Sequence, residues 1–368
     1  MAEADLPLKG LKVVAIEQAV AAPFCTSRLA DAGAEVIKVE RPEGDFARGY
    51  DASAAGQSSY FVWLNRGKTS VTIDIATKEG KAELGLLIRD ADVLVQNLKR
   101  GALDRLGFGA SRLATQYPRL INCAITGYGE AGPMASRKAY DLLIQAESGL
   151  CSITGGPSEP SRVGISLVDI ATGASTYSAI LEALIRRSNT GKGATIFVSM
   201  FDVMADWLSA PLLNHEGGNP PMRLGMAHPS IAPYGVFRAK DGEAVLISVQ
   251  SDREWAKLCK EFLNRPELAS DPRFCTNVAR VANRAETDAL VAHGFARMKG
   301  STAIDALLRA DIALASVSDM ERLSNHPHLR RVTVDTPNGP ISLPAPAPIF
   351  VGEERHYGSV PALNKPKN

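Results

Sequence analysis

Over its first 130 residues the chain alternates short apolar runs with amphipathic segments, and this alternation constrains the fold more than any other feature. Residues 11–16 form an apolar run of strand length. Residues 24–32 carry helix formers and are closed by Gly33, where a helix C-cap falls. Strand patterns return at 35–39, 70–75, 93–96 and 120–125, and residues 78–89 space Leu and Ile as a helix does. Strands separated by helices of this length build βαβ units and a mostly parallel sheet, with ligands expected outside the carboxyl ends of the strands.

Residues 169–187 continue with a long helical pattern, for which Asp169 or Thr172 is the expected N-cap. It ends near Thr190-Gly191-Lys192-Gly193, and 195–199 reads as a further strand. Residues 217–235, with four prolines and four glycines, read as a linker or mobile loop. Residues 234–249 have the pattern of a hairpin turning at Lys240-Asp241-Gly242, and helical patterns fill 252–310. Beyond 330, Pro337, Pro340, Pro344, Pro346 and Pro348 predict extended strands or a wrapping arm.

The composition is that of a globular protein: of 368 residues, 45% are hydrophobic and 22% charged. A net charge of +1 gives no general pull toward nucleic acid or an anionic membrane, so any anionic ligand must be held by local groups. No apolar run reaches the roughly 18 residues of a transmembrane helix. The acidic start, Met1-Ala2-Glu3-Ala4-Asp5, lacks a signal-peptide stretch. Five cysteines without CxxC or metal-ligand spacing predict free thiols in a reducing compartment, and the expected location is cytoplasmic.

Several familiar motifs are incomplete. After the first strand stands Ala19-Val20-Ala21-Ala22-Pro23, with no glycine to admit a pyrophosphate, which argues against a GxGxxG dinucleotide site. Gly67-Lys68-Thr69 mimics the end of a P-loop, but the upstream glycine is Val62 and a strand follows. Glu147-Ser148-Gly149 lacks the first glycine of a nucleophile elbow. His215-Glu216 has no second histidine at zincin spacing, and His326-Pro327-His328 has no acidic or cysteine neighbour, so no metal is expected.

What remains is Gly127-Tyr128-Gly129, Gly132-Pro133 and then Ala139-Tyr140-Asp141, running into Gln145 and Ser148-Gly149. Glycines at the carboxyl end of a strand let the backbone approach a ligand. Asp141 starts a helical segment, so it is either the cap of that helix or a reactive carboxylate.

Further stretches bear on this choice. They are Pro7-Leu8-Lys9-Gly10-Leu11, the run from Leu29 to Glu40, Gly44-Asp45, Asn65-Arg66-Gly67-Lys68, and Asn97 with Gly101-Ala102-Leu103-Asp104-Arg105-Leu106-Gly107. Gly164 with Asp169, Tyr234-Gly235-Val236-Phe237 and Asp271-Pro272-Arg273-Phe274 complete the series. In order and spacing the chain closely resembles the class III CoA-transferases (CaiB/BaiF-like), the family of formyl-CoA transferase and carnitine CoA-transferase, over about residues 10–350.

This resemblance implies an α/β fold: a Rossmann-like parallel sheet in a large domain, a smaller α+β domain, and an interlocked, ring-like homodimer. The expected division is 1–215 for the large CoA-binding catalytic domain and 216–233 for a linker and active-site loop. The small α+β domain follows at 234–315, and 316–368 forms a C-terminal segment returning to the large domain. Asp141 is implied as the catalytic nucleophile that forms an aspartyl anhydride and then an aspartyl-CoA thioester. Arg41, Asn97, Leu98 and Arg105 fall where the family binds CoA, with Arg66 and Lys68 as weaker helpers. Backbone N–H groups at Gly129 or Gly225 are expected to hold the oxyanion, and Arg223 or His228 a distal carboxylate. Coenzyme A enters as a substrate, with no tightly bound cofactor, and the partners are an acyl-CoA and a small carboxylic acid. Succinyl-CoA is the expected donor, and mesaconate, itaconate, citramalate, malate or a glutarate-type acid the expected acceptor. An α-methylacyl-CoA racemase would need a histidine before the aspartate, where Tyr140 stands with a phenol of reference pKa about 10. Asp169 matches the second aspartate of that chemistry. A CoA-binding protein without catalysis is the third alternative.

Overall fold

The structure, a computed structural model, describes residues 6–364; the acidic start 1–5 and the final 365–368 lie outside the described residues. Contacts divide the chain into two compact units. One runs up to Leu150, resumes over Arg162–Leu212 and takes in the chain from Arg330 onward; the other comprises Cys151–Ser161 and Leu213–Leu329.

The first unit is built on six strands: β1 (Lys12–Ile16), β2 (Glu35–Glu40), β3 (Lys68–Thr72), β4 (Val93–Gln96), β5 (Ile121–Thr126) and β6 (Ala194–Ser199). They pair in the order β3-β2-β1-β4-β5-β6, all parallel. The order reverses between β1 and β4, which opens a crevice at their carboxyl ends. Between the strands lie α1 (Ala21–Asp31), α2 (Ser59–Asn65), α3 (Lys78–Arg89), α4 (Ala102–Leu106), α5 (Ala110–Gln116), α6 (Asp141–Glu147), the one-turn α7 (Leu150–Ile153) and α8 (Leu167–Thr190); α9 (Met200–Trp207) follows β6.

Alternation along the strands splits the core in two. Val13, Ala15, Val36, Val93, Val95 and Ile121 turn to one face and pack with Cys25 and Leu29 of α1 and Ile180 and Ala183 of α8. Val14, Ile16, Val39 and Leu94 turn to the other, against Leu84, Ile88, Leu103 and Leu113. Both faces being covered, the strands read as continuous apolar runs. Gly173 of α8 lies against α1: a Cβ there would come 2.5 Å from the Ala21 carbonyl oxygen and 2.9 Å from Phe24 Cβ.

β3 begins two residues before the predicted strand, because buried Lys68 is the first residue of its ladder and reads as polar in the sequence. The Pro-rich C-terminal stretch forms an antiparallel pair, whose strands Arg331–Val334 and Ile341–Pro344 pack near α2. The chain then passes the β3 edge, where Gly67 N–H donates to the Ser359 carbonyl at 2.9 Å and Asn364 Nδ2 to that of Ser70 at 3.3 Å.

In the second unit the predicted hairpin forms from Tyr234–Arg238 and Ala244–Ser248, with Gly242 at φ +87 in its turn, and Ala313–Ser316 adds a third antiparallel strand. Its own core gathers Phe237, Val245, Ile247, Trp255, Phe274, Phe295 and Leu307. All five cysteines are free thiols. No helix among the described residues is long and apolar enough to cross a membrane.

Candidate active site

Arg41 directly follows β2, Asn97 and Leu98 directly follow β4, and Arg105 lies in the last turn of α4 just beyond. These four residues therefore belong to one edge of the sheet, the carboxyl edge, around the crevice. Arg41 is exposed, its Nε donating to the Gly44 carbonyl at 3.1 Å; Arg105 is exposed, and Leu98 is half-buried. The Asn97 amide is already engaged on both sides: Gln18 N–H donates to its Oδ1 at 3.0 Å, and its Nδ2 donates to the Gln18 carbonyl at 2.8 Å.

The chain leaves β5, next to β4, through Gly127-Tyr128-Gly129. A side chain on Gly127 would run into Ala139, and Gly129 and Gly132 take φ of +83 and +92. The loop delivers Asp141 as the first residue of α6, after Tyr140 at the N-cap.

Asp141 does not cap α6. Its carboxylate reaches to the first turn of α8, where Val168 N–H donates to Oδ1 at 2.7 Å and Asp169 N–H to the same oxygen at 3.3 Å. These belong to the four backbone donors a helix start leaves unpaired. The α8 N-cap, Ser166, makes no capping bond, and its hydroxyl meets Tyr60 Oη at 3.3 Å. Neither Asp169 nor Thr172 is therefore the cap of α8. Asp141, 26 residues before Leu167 in sequence, serves that end in their place.

Gln145, one turn along α6 and fully buried, completes the setting. Its Nε2 donates to Asp141 Oδ2 at 2.7 Å, and its Oε1 accepts from Val163 N–H at 2.9 Å. The Asp141 carboxylate thus accepts three N–H donors, at the positive end of a 24-residue helix dipole. Beside it, burial, with the Asp141 charge adding to it, pushes the Asp169 carboxyl up to about 7. Burial likewise pushes the nearby Tyr50 phenol up to about 12, with Asp45, Asp169 and Tyr140 contributing.

Other expected contributors are committed elsewhere. Gly129 N–H donates to Thr126 Oγ1 at 3.0 Å and Gly225 N–H to the Gly155 carbonyl at 2.9 Å, so neither is free for an oxyanion. The Arg223 guanidinium donates to the carbonyls of Ser152, Gly156 and Pro157 at 3.0, 3.2 and 3.3 Å, not to a ligand carboxylate. His228 stacks on Tyr234, and Arg284 Nη2 donates to the His228 carbonyl at 2.6 Å. Lys68 is fully buried, 2.7 Å from Glu17 Oε1, and Arg66 Nη2 pairs with Asp31 at 2.5 Å, so both head groups are engaged in ion pairs.

The pairing of Gln145 with Asp141 has one signal in the sequence, its position four residues on and so one helical turn away. The pairing of Asn97 with Gln18, 79 residues apart, left no local trace.

The family model of CoA-transferase family III matches residues 8–365. The chain is 35% identical to the succinate–glutarate CoA-transferase of Agrobacterium fabrum, over 94% of this chain and 90% of that protein. It is 36% identical to the acetyl-CoA:oxalate CoA-transferase of Acetobacter aceti, over 92% and 87%. Among solved structures, a CaiB/BaiF family protein from Brucella suis superposes with a TM-score of 0.83 at 36% identity, covering 98% of this chain and 97% of that one. The chain belongs to CoA-transferase family III.

Proposed function

We propose that the protein moves CoA from succinyl-CoA to a small dicarboxylate such as mesaconate, itaconate, citramalate or malate, with Asp141 as the nucleophile. A carboxylate oxygen of Asp141 attacks the thioester carbon, the C–S bond breaks, and CoA leaves as a thiolate with the electron pair. The thiolate attacks the aspartyl carbon of the mixed anhydride, succinate departs as carboxylate, and an aspartyl-CoA thioester remains. The acceptor carboxylate attacks that thioester, giving a second anhydride and the thiolate again. The thiolate then takes the acceptor's acyl group and restores Asp141. Charge balances at each step, a carboxylate exchanging with a thiolate, and four easier displacements replace one hard exchange.

The observation that carries this reading is the hold on Asp141: three N–H donors fix the carboxylate beyond the carboxyl edge of the sheet. A nucleophile held in one orientation needs no reordering before attack, and the α8 N-terminus favours the negative charge that builds on Asp141 Oδ1 when the thiolate attacks the aspartyl carbon. Arg41 and Arg105 are the candidate partners for the phosphates of CoA on the same edge, and Leu98 a candidate apolar contact. For the acceptor, both named relatives carry a dicarboxylate in their names. Exposed Arg137 and Lys138, four and three residues before Asp141, supply the positive charge that a second carboxylate needs. The racemase alternative has exposed Tyr140 in place of its histidine base, and its discriminator is exchange of an α-proton without CoA transfer.

The test is Asp141→Asn. Turnover of succinyl-CoA with each acceptor is expected to fall by about a thousandfold or more while CoA binding stays within a fewfold, as for loss of a covalent nucleophile. Near-normal turnover in that variant contradicts the mechanism. The same reading carries the interlocked homodimer. Exposed Phe197, Leu213 and Ile185 give apolar surface for such contacts, and sedimentation is expected to return twice the 39.2 kDa chain mass.

A further inference from the structure

We propose that Asn97 and Asp45 are positioning residues that hold the Gln18–Ala19 turn ready for acyl-CoA, Asn97 acting through this turn and not by touching the substrate. This rests on the proposed acyl-CoA chemistry. The turn follows β1 at the crevice where the strand order reverses, the place where sheets of this order take their ligands. Ala19 sits there at φ +62, in the left-handed region that residues bearing a Cβ avoid.

Three bonds hold it in that conformation. The Asn97 amide brackets Gln18, accepting from its N–H at 3.0 Å and donating to its carbonyl at 2.8 Å, which uses the Oδ1 and Nδ2 arms on backbone. Asp45 Oδ1 accepts from Ala19 N–H at 3.2 Å and from Ala47 N–H at 2.9 Å. Asp45 is fixed in turn by Lys38, whose fully buried ammonium lies 2.9 Å from Asp45 Oδ2 and 3.4 Å from Glu17 Oε1. Glu17 is itself held by Lys68 Nζ at 2.7 Å and by Thr26 Oγ1 at 2.6 Å. The network thus joins the ends of β1, β2 and β4 around one strained residue. Buried charges arranged in this way leave no free head group for a ligand, but they fix a backbone.

The experiment titrates coenzyme A calorimetrically into wild type, Asn97→Ala, Ala19→Gly and the double variant, and follows amide hydrogen exchange of the 17–20 segment. Asn97→Ala is expected to weaken CoA binding about tenfold and to speed exchange at Gln18 and Ala19, as fits the cost of a left-handed alanine. Because glycine takes positive φ freely, the loss is expected to shrink to about threefold or less in the Ala19→Gly background. Asn97→Asp, which keeps the acceptor for Gln18 N–H and removes the donor, serves if Asn97→Ala does not fold. A loss of affinity that Ala19→Gly does not restore would make Asn97 a direct ligand contact and overturn the proposal, as would unchanged exchange. Wild type that bound no CoA would instead count against the acyl-CoA chemistry, with exchange at 17–20 still deciding the clamp.

Discussion

Asp169 carries a consequence that does not depend on catalysis. Its carboxyl ionises near 3.8 in an ordinary setting and near 7 in the native protein, burial being the larger cause and the Asp141 charge the smaller. Between those values the native state binds more protons than the unfolded chain, so this group lowers stability as pH rises, with the full cost present above about 7. Asp169→Asn removes the charge at any pH. Thermal unfolding is therefore expected to show the variant more stable than wild type at about pH 8, by on the order of 2–4 kcal/mol, and equal to it at about pH 4. A constant offset at both pH values would contradict the assignment. At this scale the sequence was legible for Asp141, whose motif stands in one stretch, but not for its setting. The donors at Val168 and Asp169 reach it only because α8 lacks a cap of its own.

Elements in this protein are joined by buried charge as well as by apolar packing. Glu40, the last residue of β2, accepts from Arg48 Nη2 at 2.6 Å, Ser70 Oγ at 2.6 Å and Asp45 N–H at 2.8 Å. Burial alone would raise its pKa, but these donors and Lys38 outweigh it and hold Glu40 at about 2 against an ordinary 4.5. The group thus adds stability that is complete above about 4.5 and is lost as pH falls toward about 2. Glu40→Gln is expected to cost about 3 kcal/mol near neutrality and to flatten the acid limb of the stability curve, as read from urea unfolding between about pH 3 and 7. Several strands and helices were legible from period and length: 78–89 and 93–96 are the helix and strand observed, whereas the short apolar helices α2 and α9 were not read. They were less so where a buried charge begins an element, as Lys68 does in β3.

At the scale of the whole molecule, the doubly wound sheet was legible because strand and helix alternate from β1 to β5, and the family because many short motifs keep their order. The excursion at 151–161 was not. Those eleven residues cluster with the second unit although the chain returns to the first at Arg162, and Arg223, far along the sequence, grips them through three carbonyls. Contacts so distant leave no periodicity to read. The proposed chemistry turns on one group in this frame, the carboxylate of Asp141. The direct measurement is mass spectrometry of the protein incubated with succinyl-CoA and trapped with hydroxylamine or borohydride, followed by peptide mapping. Modification confined to the peptide bearing Asp141, and absent in Asp141→Asn, is the predicted result. An unmodified Asp141 peptide in protein that still transfers CoA would contradict the account.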